Sequence, residues 1–259
     1  MPRAHRYFLP HHVWHLTHRC HQREFLLKFA RDRRCWRQWL FEAKKRFRLC
    51  VLNYVVTSNH IHLLVRDQGR GEIAEAMQLI AGCTGQAYNR RKGRQGAFWE
   101  DRYHATAVDT EAYLARCLVY LDLNMVRAGV VQHPNDWDAG GYREIQSPPQ
   151  RYAIIDLPAL IEVLGMNSVK QLQATHAQWV AEALQVGRVQ REPIWSESVA
   201  VGRREFVERV QGELGLKAQY REVVTDGQAH VLRDPPAAYT ADFDGGKAAL
   251  TGTKSVVSD

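Results

Sequence analysis

Four short stretches in the first 108 residues have the apolar pattern of β-strands. Residues 12–17 (HVWHLT) alternate loosely between apolar and polar, and residues 49–56 (LCVLNYVV) and 60–65 (HIHLLV) are rich in β-branched and aromatic side chains. The turn residues at 57–59 separate the last two stretches, which predicts a β-hairpin. Residues 97–108 are less regular and are predicted to form a fourth strand.

Segments with helical spacing lie between and after these strands. Apolar residues recur three and four positions apart in 24–46, 73–91 and 112–129, and Gly129 can end the last helix. The apolar stripe of 112–129 consists of Leu114, Cys117, Leu118, Leu121 and Met125. The order β-α-β-β-α-β plus one further helix predicts an α+β fold. We expect a ferredoxin-like antiparallel sheet with helices packed on one face and the added helix beside the sheet.

The composition changes near residues 147–150 (SPPQ). Clusters of Ser and Pro favour loops, so this stretch predicts a domain boundary. We therefore expect a first domain at 1–145. Residues 151–225 again show helical apolar spacing and predict a small helical C-terminal region. Residues 226–259 are rich in Ala, Gly, Asp and Thr and have little to bury, so a disordered tail is expected.

The positive charge is concentrated in the first half of the chain. Residues 1–105 hold 20 Lys or Arg against 8 Asp or Glu, a balance of +12, whereas 106–259 hold 15 against 20, a balance of −5. A basic half favours a polyanionic partner, and nucleic acid is the commonest one. The sequence shows neither a long apolar run nor a signal peptide, so we expect a cytoplasmic, nucleoid-associated protein that does not bind membranes.

Two histidines stand one residue apart in the predicted strand 60–65. Side chains alternate along a strand, so His60 and His62 project from one face while Ile61 and Leu63 project from the other. Burying such a pair is costly, because each ring brings two nitrogens that need partners. The structural alternative is a pair of sheet histidines with hydrogen-bonded partners.

A phenol and a carboxamide share one side of the helix predicted at 112–129. Tyr120 and Asn124 lie four residues apart, hence one turn from each other. Two imidazoles and a carboxamide oxygen would form a mixed site for Mg²⁺ or Mn²⁺, with the imidazoles shifting the preference toward Mn²⁺ or a later metal, and a phenol can act as a nucleophile. The structural alternative is that Tyr120 is a core aromatic residue and that Asn124 forms hydrogen bonds at the end of the helix. Tyr113 is the second candidate for the nucleophile.

These motifs resemble a known family. His60-Ile61-His62 resembles the HUH signature, and Tyr120 followed by Asn124 resembles the tyrosine motif of single-tyrosine HUH transposases. TSNHIHLLV and YLDLNMVRAGVV are similar to the subgroup of REP-associated tyrosine transposases, as are WHLTHR (14–19) and GAFWEDRYHA (96–105). The resemblance spans roughly residues 5–145. One departure is Asn-Met at 124–125, where relatives commonly have Asn-Pro.

The resemblance implies a metal-dependent nuclease and strand transferase that acts on single-stranded DNA at hairpins of short palindromic repeats. His60, His62 and Asn124 would hold Mg²⁺ or Mn²⁺, and Tyr120 would attack the phosphate to form a covalent 5′-phosphotyrosine. Relatives in insertion sequences work as dimers, so a homodimer is an open alternative here. Two other functions stay open: a hairpin-binding protein that does not cleave, and a metalloenzyme that activates water.

Basic and aromatic residues near these motifs are candidates for DNA contacts. Arg90 to Arg94 precede Phe98 and Trp99, which combines phosphate contacts with faces on which bases can stack. His15 and Arg19 contact phosphate or support the sheet. The complete predicted set is His15, Arg19, Arg90, Arg91, Lys92, Arg94, Trp99, Arg102 and Arg127.

Overall fold

The computed structural model describes residues 9–187 and 190–234. Its strands are β1 (Val13–Arg19), β2 (Cys50–Val56), β3 (His60–Arg66), β4 (His104–Val108), β5 (Ala200–Gly202), β6 (Glu222–Asp226) and β7 (Ala229–Arg233). Its helices are α1 (Ala30–Phe47), α2 (Glu72–Lys92), α3 (Ala112–Asp122), α4 (Asn124–Arg127), α5 (Tyr142–Gln146), α6 (Leu157–Val163), α7 (Val169–Gln185), α8 (Ile194–Glu197) and α9 (Arg204–Leu214). The strands form one sheet in the order β2-β3-β1-β4-β5-β7-β6.

The first four strands form the predicted ferredoxin-like sheet. β2 pairs with β3, β3 with β1, and β1 with β4, and all three pairings are antiparallel. The register places Thr17 opposite His62 and Arg19 opposite His60. The α+β prediction is therefore confirmed. β4 begins only at His104; the segment before it lies beside the end of β1, where Trp99 forms an isolated bridge with Cys20.

The two faces of this sheet differ in chemistry. Leu16, Ile61 and Leu63 are fully buried on the face that α1 and α2 cover. This orientation follows from Trp36 of α1, whose ring lies 6.5 Å from that of Tyr54, the residue opposite Leu63. The other face carries His15 and Thr17 of β1 and His60 and His62 of β3, and α3 and parts of the C-terminal region pack there. Helices thus cover both faces, whereas the sequence predicted one.

The helix expected over 112–129 is interrupted. α3 ends at Asp122, and Leu123, at φ −77° and ψ 4°, separates it from α4. Gly129 follows with φ +66°, a value that glycine adopts without strain, and its N–H donates to Val126 O at 2.9 Å. The predicted end of the helix is therefore correct, although its interior is kinked.

A buried polar network fixes the end of α3. The Asp122 carboxylate accepts hydrogen bonds from His176 Nε2 of α7 at 2.7 Å and from Asn53 Nδ2 of β2 at 3.0 Å. Both Asp122 and His176 are almost completely buried. The network connects the sheet, α3 and α7 at a point between Tyr120 and Asn124, so it holds both of these residues in place.

The C-terminal region is not purely helical, so the prediction for 151–225 needs a correction. Between α8 and α9 the chain forms β5, which pairs in parallel with β4 (Ala107 opposite Ala200), and β6 and β7 extend the same sheet. These strands cover the edge of β4, whose backbone groups would otherwise stay unpaired. β5 has only three residues, too few for a periodic pattern.

The predicted disordered tail at 226–259 is wrong in its first part. β7 lies within it, and Val231 and Leu232 are fully buried. The remainder of that prediction, from residue 235 onward, lies outside the described residues. No described helix has the length and apolar character needed to cross a membrane.

Candidate active site

An open cleft of about 390 Å³ lies at the ends of β1 and β3, on the polar face of the sheet. Its lining residues are Thr17, Arg19, Arg23, Asn59, His60, His62, Tyr120, Asn124, Arg127, Ala128, Arg191 and Ser196. The fold therefore brings together all four residues predicted for catalysis and metal binding, from β3, α3 and α4.

His62 is oriented by a chain of buried hydrogen bonds. His15 Nδ1 donates to the Trp195 carbonyl at 2.7 Å, which leaves His15 Nε2 unprotonated in a neutral ring. That nitrogen accepts from His62 Nδ1 at 2.8 Å, and the two rings stack at 5.0 Å. Because the proton of His62 is on Nδ1, its Nε2 keeps a lone pair that can ligate a metal.

His60 is oriented in a similar way by its own turn. Its Nδ1 lies 2.7 Å from Asn59 Oδ1 and 3.0 Å from Thr57 Oγ1. An amide oxygen can only accept, so His60 Nδ1 carries the proton and Nε2 carries the lone pair. The His60 and His62 rings are 4.9 Å apart and nearly perpendicular.

Burial keeps these imidazoles neutral. It lowers the pKa of His60 to about 4, with nearby positive charges adding to the effect. Burial also lowers the pKa of His62 well below its ordinary value, and lowers that of His15 to about 3 although the hydrogen bond to Trp195 opposes the change. At neutral pH the cleft therefore presents uncharged ring nitrogens, the form that binds metals.

Tyr120 is packed at the side of the cleft rather than free in it. It is only 6% exposed, and its ring lies 6.0 Å from that of His62. The Arg127 guanidinium lies 4.0 Å above the ring and donates to the Tyr120 carbonyl at 2.8 Å. Burial raises the pKa of the phenol, which the Arg127 charge partly opposes. The residue nevertheless lines the cleft beside His62 and Asn124.

The competing tyrosine is placed elsewhere. Tyr113 does not line the cleft, and its hydroxyl donates to the Gln228 carbonyl at 3.1 Å. The geometry therefore favours Tyr120 over Tyr113 as the residue next to the histidines.

Asn124 completes the predicted ligand set. It is half-buried in the cleft, and its carboxamide makes no hydrogen bond to another described residue. No described group of three His, Cys, Asp or Glu side chains could hold a metal. The donors in the cleft are instead two imidazole nitrogens with fixed tautomers and one unpaired amide, and these three side chains are the ones that could hold Mn²⁺ or Mg²⁺.

The predicted DNA contacts divide into two groups. Arg19 and Arg127 line the cleft, as expected for phosphate contacts. His15 does not fit that role, because it is completely buried behind His62. The prediction of a DNA contact for His15 is therefore wrong, and its place behind His62 makes it a positioning residue.

The remaining predicted contacts lie outside the cleft, around the end of α2 and the loop that follows it. Arg91 pairs with the buried carboxylate of Asp32, and Arg94 donates to the Ala97 carbonyl at 2.8 Å, so both have structural roles. Trp99 stacks on His18, with ring centroids 4.1 Å apart. The exposed members of the group are Arg90, Lys92 and Arg102.

Sequence reasoning missed several residues of the cleft. Asn59 was interpreted only as a turn residue, although its position directly before His60 is a local signal. Arg191 and Ser196 come from the C-terminal region, and Trp195 reaches His15 from there. No local pattern connects those residues to the histidine strand.

Residues 9–123 match the protein-family model described as transposase IS200 like. Among solved structures, the chain is similar to a REP-associated tyrosine transposase bound to a REP hairpin, at 17% identity and a TM-score of 0.48, over 59% of this chain and 90% of that one. It is also similar to a candidate transposase from Deinococcus radiodurans R1, at 15% identity and a TM-score of 0.34, over 46% of this chain and 95% of that one. No curated protein matches the chain.

Proposed function

We propose that the chain is an IS200-like transposase, the family whose model matches residues 9–123, and that it cleaves and rejoins single-stranded DNA at hairpins through a covalent 5′-phosphotyrosine. The match to the family model supports a transposase-type, DNA-processing function. The finer parts, which are the tyrosine nucleophile, the metal dependence and the hairpin substrate, are our proposal.

One observation carries the proposal: two neutral imidazoles, an unpaired carboxamide and a phenol line the same cleft of one chain. We assign His60, His62 and Asn124 to holding Mg²⁺ or Mn²⁺. When bound, such an ion polarises a phosphoryl oxygen and offsets charge that develops at phosphorus. Arg19 and Arg127 would hold the phosphates next to it.

Tyr120 is the proposed nucleophile. Its oxygen would form a bond to phosphorus while the bond from phosphorus to the 3′ oxygen breaks. The phenol gives up its proton and the departing 3′ oxygen takes one up, so the step balances without an oxidant or reductant. Reversal of the step by another 3′-hydroxyl would rejoin the DNA. Because burial raises the pKa of Tyr120, the phenol is protonated in the free protein at neutral pH.

Hairpin DNA as the partner, and membership of the REP-associated subgroup, are proposed from the motifs HIH at 60–62 and YLDLN at 120–124. The +12 balance of residues 1–105 supports a polyanionic partner. The protein would act on DNA in the cytoplasm, at the nucleoid. Tyr120 lies beside the histidines of its own chain, so a single copy contains the complete residue set, and a homodimer stays an open alternative.

The test is a covalent adduct. Protein, Mn²⁺ and a labelled single-stranded oligonucleotide with a hairpin should yield a protein–DNA species that survives denaturing electrophoresis. Tyr120→Phe should abolish the adduct, and Tyr113→Phe, the matched control, should keep it. An adduct formed by Tyr120→Phe would refute the assignment.

A second candidate function is hairpin binding without cleavage. The 6% exposure of Tyr120 and the basic first half favour it, because binding needs charge but no accessible nucleophile. Specific hairpin binding with no adduct and no cleavage under Mg²⁺ or Mn²⁺ would establish this alternative. Cleavage products without attached protein would instead indicate that the site activates water.

A further inference from the structure

One wall of the cleft is built by residues 190–202, which lie outside the family-matched part of the chain. We call this stretch the wall segment; it includes α8 and β5. Arg191 and Ser196 of the wall segment line the cleft together with Tyr120, Asn124 and the histidines of β3. The C-terminal region is therefore part of the site and not a separate appendage.

The wall segment is firmly attached to the strands behind the cleft. Trp195 is completely buried, and its carbonyl accepts a hydrogen bond from His15 Nδ1 at 2.7 Å. The Ser198 carbonyl accepts from Thr106 Oγ1 at 2.7 Å and His104 Nε2 at 2.9 Å. These bonds and the pairing of β5 with β4 fix the wall segment relative to β1 and β4.

Arg191 is an exposed cation on this fixed support. Its side chain is 61% exposed, and it pairs at 2.8 Å with Glu197, which is 60% exposed. An ion pair this exposed contributes little to stability, so the guanidinium can exchange the carboxylate for a phosphate at low cost. Phosphate suits the planar, fork-shaped guanidinium especially well.

The other basic residues of the cleft lie on elements apart from the wall segment. Arg19 ends β1, Arg23 follows it, and Arg127 is on α4. A DNA strand with a phosphate at Tyr120 would thus meet arginines from β1 and α4 and one from the wall segment. We propose that Arg191 binds a backbone phosphate of the single strand held in the cleft. This inference rests on the proposed function and assigns the C-terminal region a part in DNA binding.

The test compares Arg191→Gln with Arg204→Gln. Arg204 is a matched control, since it is 67% exposed, pairs with Glu208 at 2.7 Å, lies in the same region and does not line the cleft. Binding of a labelled hairpin oligonucleotide with single-stranded flanks is measured by fluorescence anisotropy from 50 to 300 mM NaCl, with EDTA present to prevent cleavage. Circular dichroism confirms that each variant is folded.

Arg191→Gln should bind more weakly than wild type, and the slope of log affinity against log salt should become shallower by about 0.7, the loss of one contact to a single-stranded phosphate. Arg191→Lys should restore the slope, because it keeps the charge. Arg204→Gln should behave as wild type.

Equal affinities and slopes for Arg191→Gln and Arg204→Gln, alongside normal wild-type binding and cleavage, would overturn this inference alone. Failure of the wild type to bind any hairpin oligonucleotide would overturn the proposed function and this inference together.

Discussion

His15 should control metal binding without touching the metal. It links the Trp195 carbonyl, at 2.7 Å, to His62 Nδ1, at 2.8 Å, and so determines which nitrogen of His62 faces the cleft. His15→Phe keeps a ring of similar size but removes both hydrogen bonds. The proton on His62 Nδ1 then has only Thr17 Oγ1, at 3.3 Å, as a partner.

The expected magnitude follows from this loss. Removing a hydrogen-bond partner that orients a metal-binding histidine typically weakens metal affinity about 10–100-fold, or roughly 1.4–2.7 kcal/mol. A buried donor left with a poor partner also lowers the free energy of unfolding by about 1–3 kcal/mol. The two effects are separable, because the first appears in folded protein at 25 °C.

Isothermal titration with Mn²⁺ in the absence of DNA measures the first effect, and urea unfolding measures the second. His104→Phe is the matched control: His104 lies opposite Thr17 on the same face and donates to the Ser198 carbonyl at 2.9 Å, but makes no bond to His62. It should lose stability and keep Mn²⁺ affinity. Wild-type Mn²⁺ affinity in folded His15→Phe, or an equal loss in His104→Phe, would refute the reasoning.

Two further predictions concern stability. Because burial lowers the pKa of His60 to about 4, this residue takes up its proton at a higher pH in the unfolded chain than in the folded one. The contribution of His60 to the stability of the metal-free protein should therefore be complete above pH 6.5. As the pH falls from 6.5 toward 4, the free energy of unfolding should decrease by roughly 1.4 kcal/mol per pH unit from this residue. Urea unfolding at pH 7 and pH 5 measures this loss, and His60→Ala should reduce the difference in free energy of unfolding between the two pH values. An unchanged difference would contradict the assignment of this pH dependence to His60. Gly141→Ala should destabilise by about 1–3 kcal/mol, because its Cβ would lie 2.8 Å from Ile155 Cδ1 and would collide with Asn53 Oδ1. Gly212→Ala, in α9 with no atom within 4 Å, should be neutral or stabilising in the same thermal melts, and equal effects of the two would refute the packing argument.

Local patterns determined the first half of the fold. Alternating apolar residues and the turn at 57–59 specify the hairpin of β2 and β3, because strand faces depend only on neighbouring residues. Apolar spacing likewise located α1, α2 and α3. The sequence does not predict β5 and β7, because each strand is too short to show an alternating apolar pattern. Their stability comes from pairing with other strands of the sheet, β5 with β4 and β7 with β5.

The four central residues of the site were also readable from local spacing. A spacing of two residues on a strand places His60 and His62 on one face. A spacing of four residues on a helix aligns Tyr120 and Asn124, even though Leu123 interrupts that helix. Spacing does not say whether the strand and the helix meet. The order of strands and helices predicts that the added helix lies beside the sheet, the family resemblance implies the same, and the tertiary structure places all four residues in one cleft.

Only the tertiary structure decided the surroundings of these residues. His15 resembled a DNA contact in the sequence, yet it is buried between His62 and Trp195, a residue 180 positions further along the chain. In the sequence Arg191 does not differ from other arginines, and only the structure shows that the wall segment places it in the same cleft as Tyr120. Periodicity records which face a residue lies on, but burial and hydrogen bonding between distant segments depend on how whole elements pack. The sequence therefore determined which groups could react, and the packing of the C-terminal region determined the tautomer of His62, through His15, and supplied Arg191 and Ser196 to the cleft.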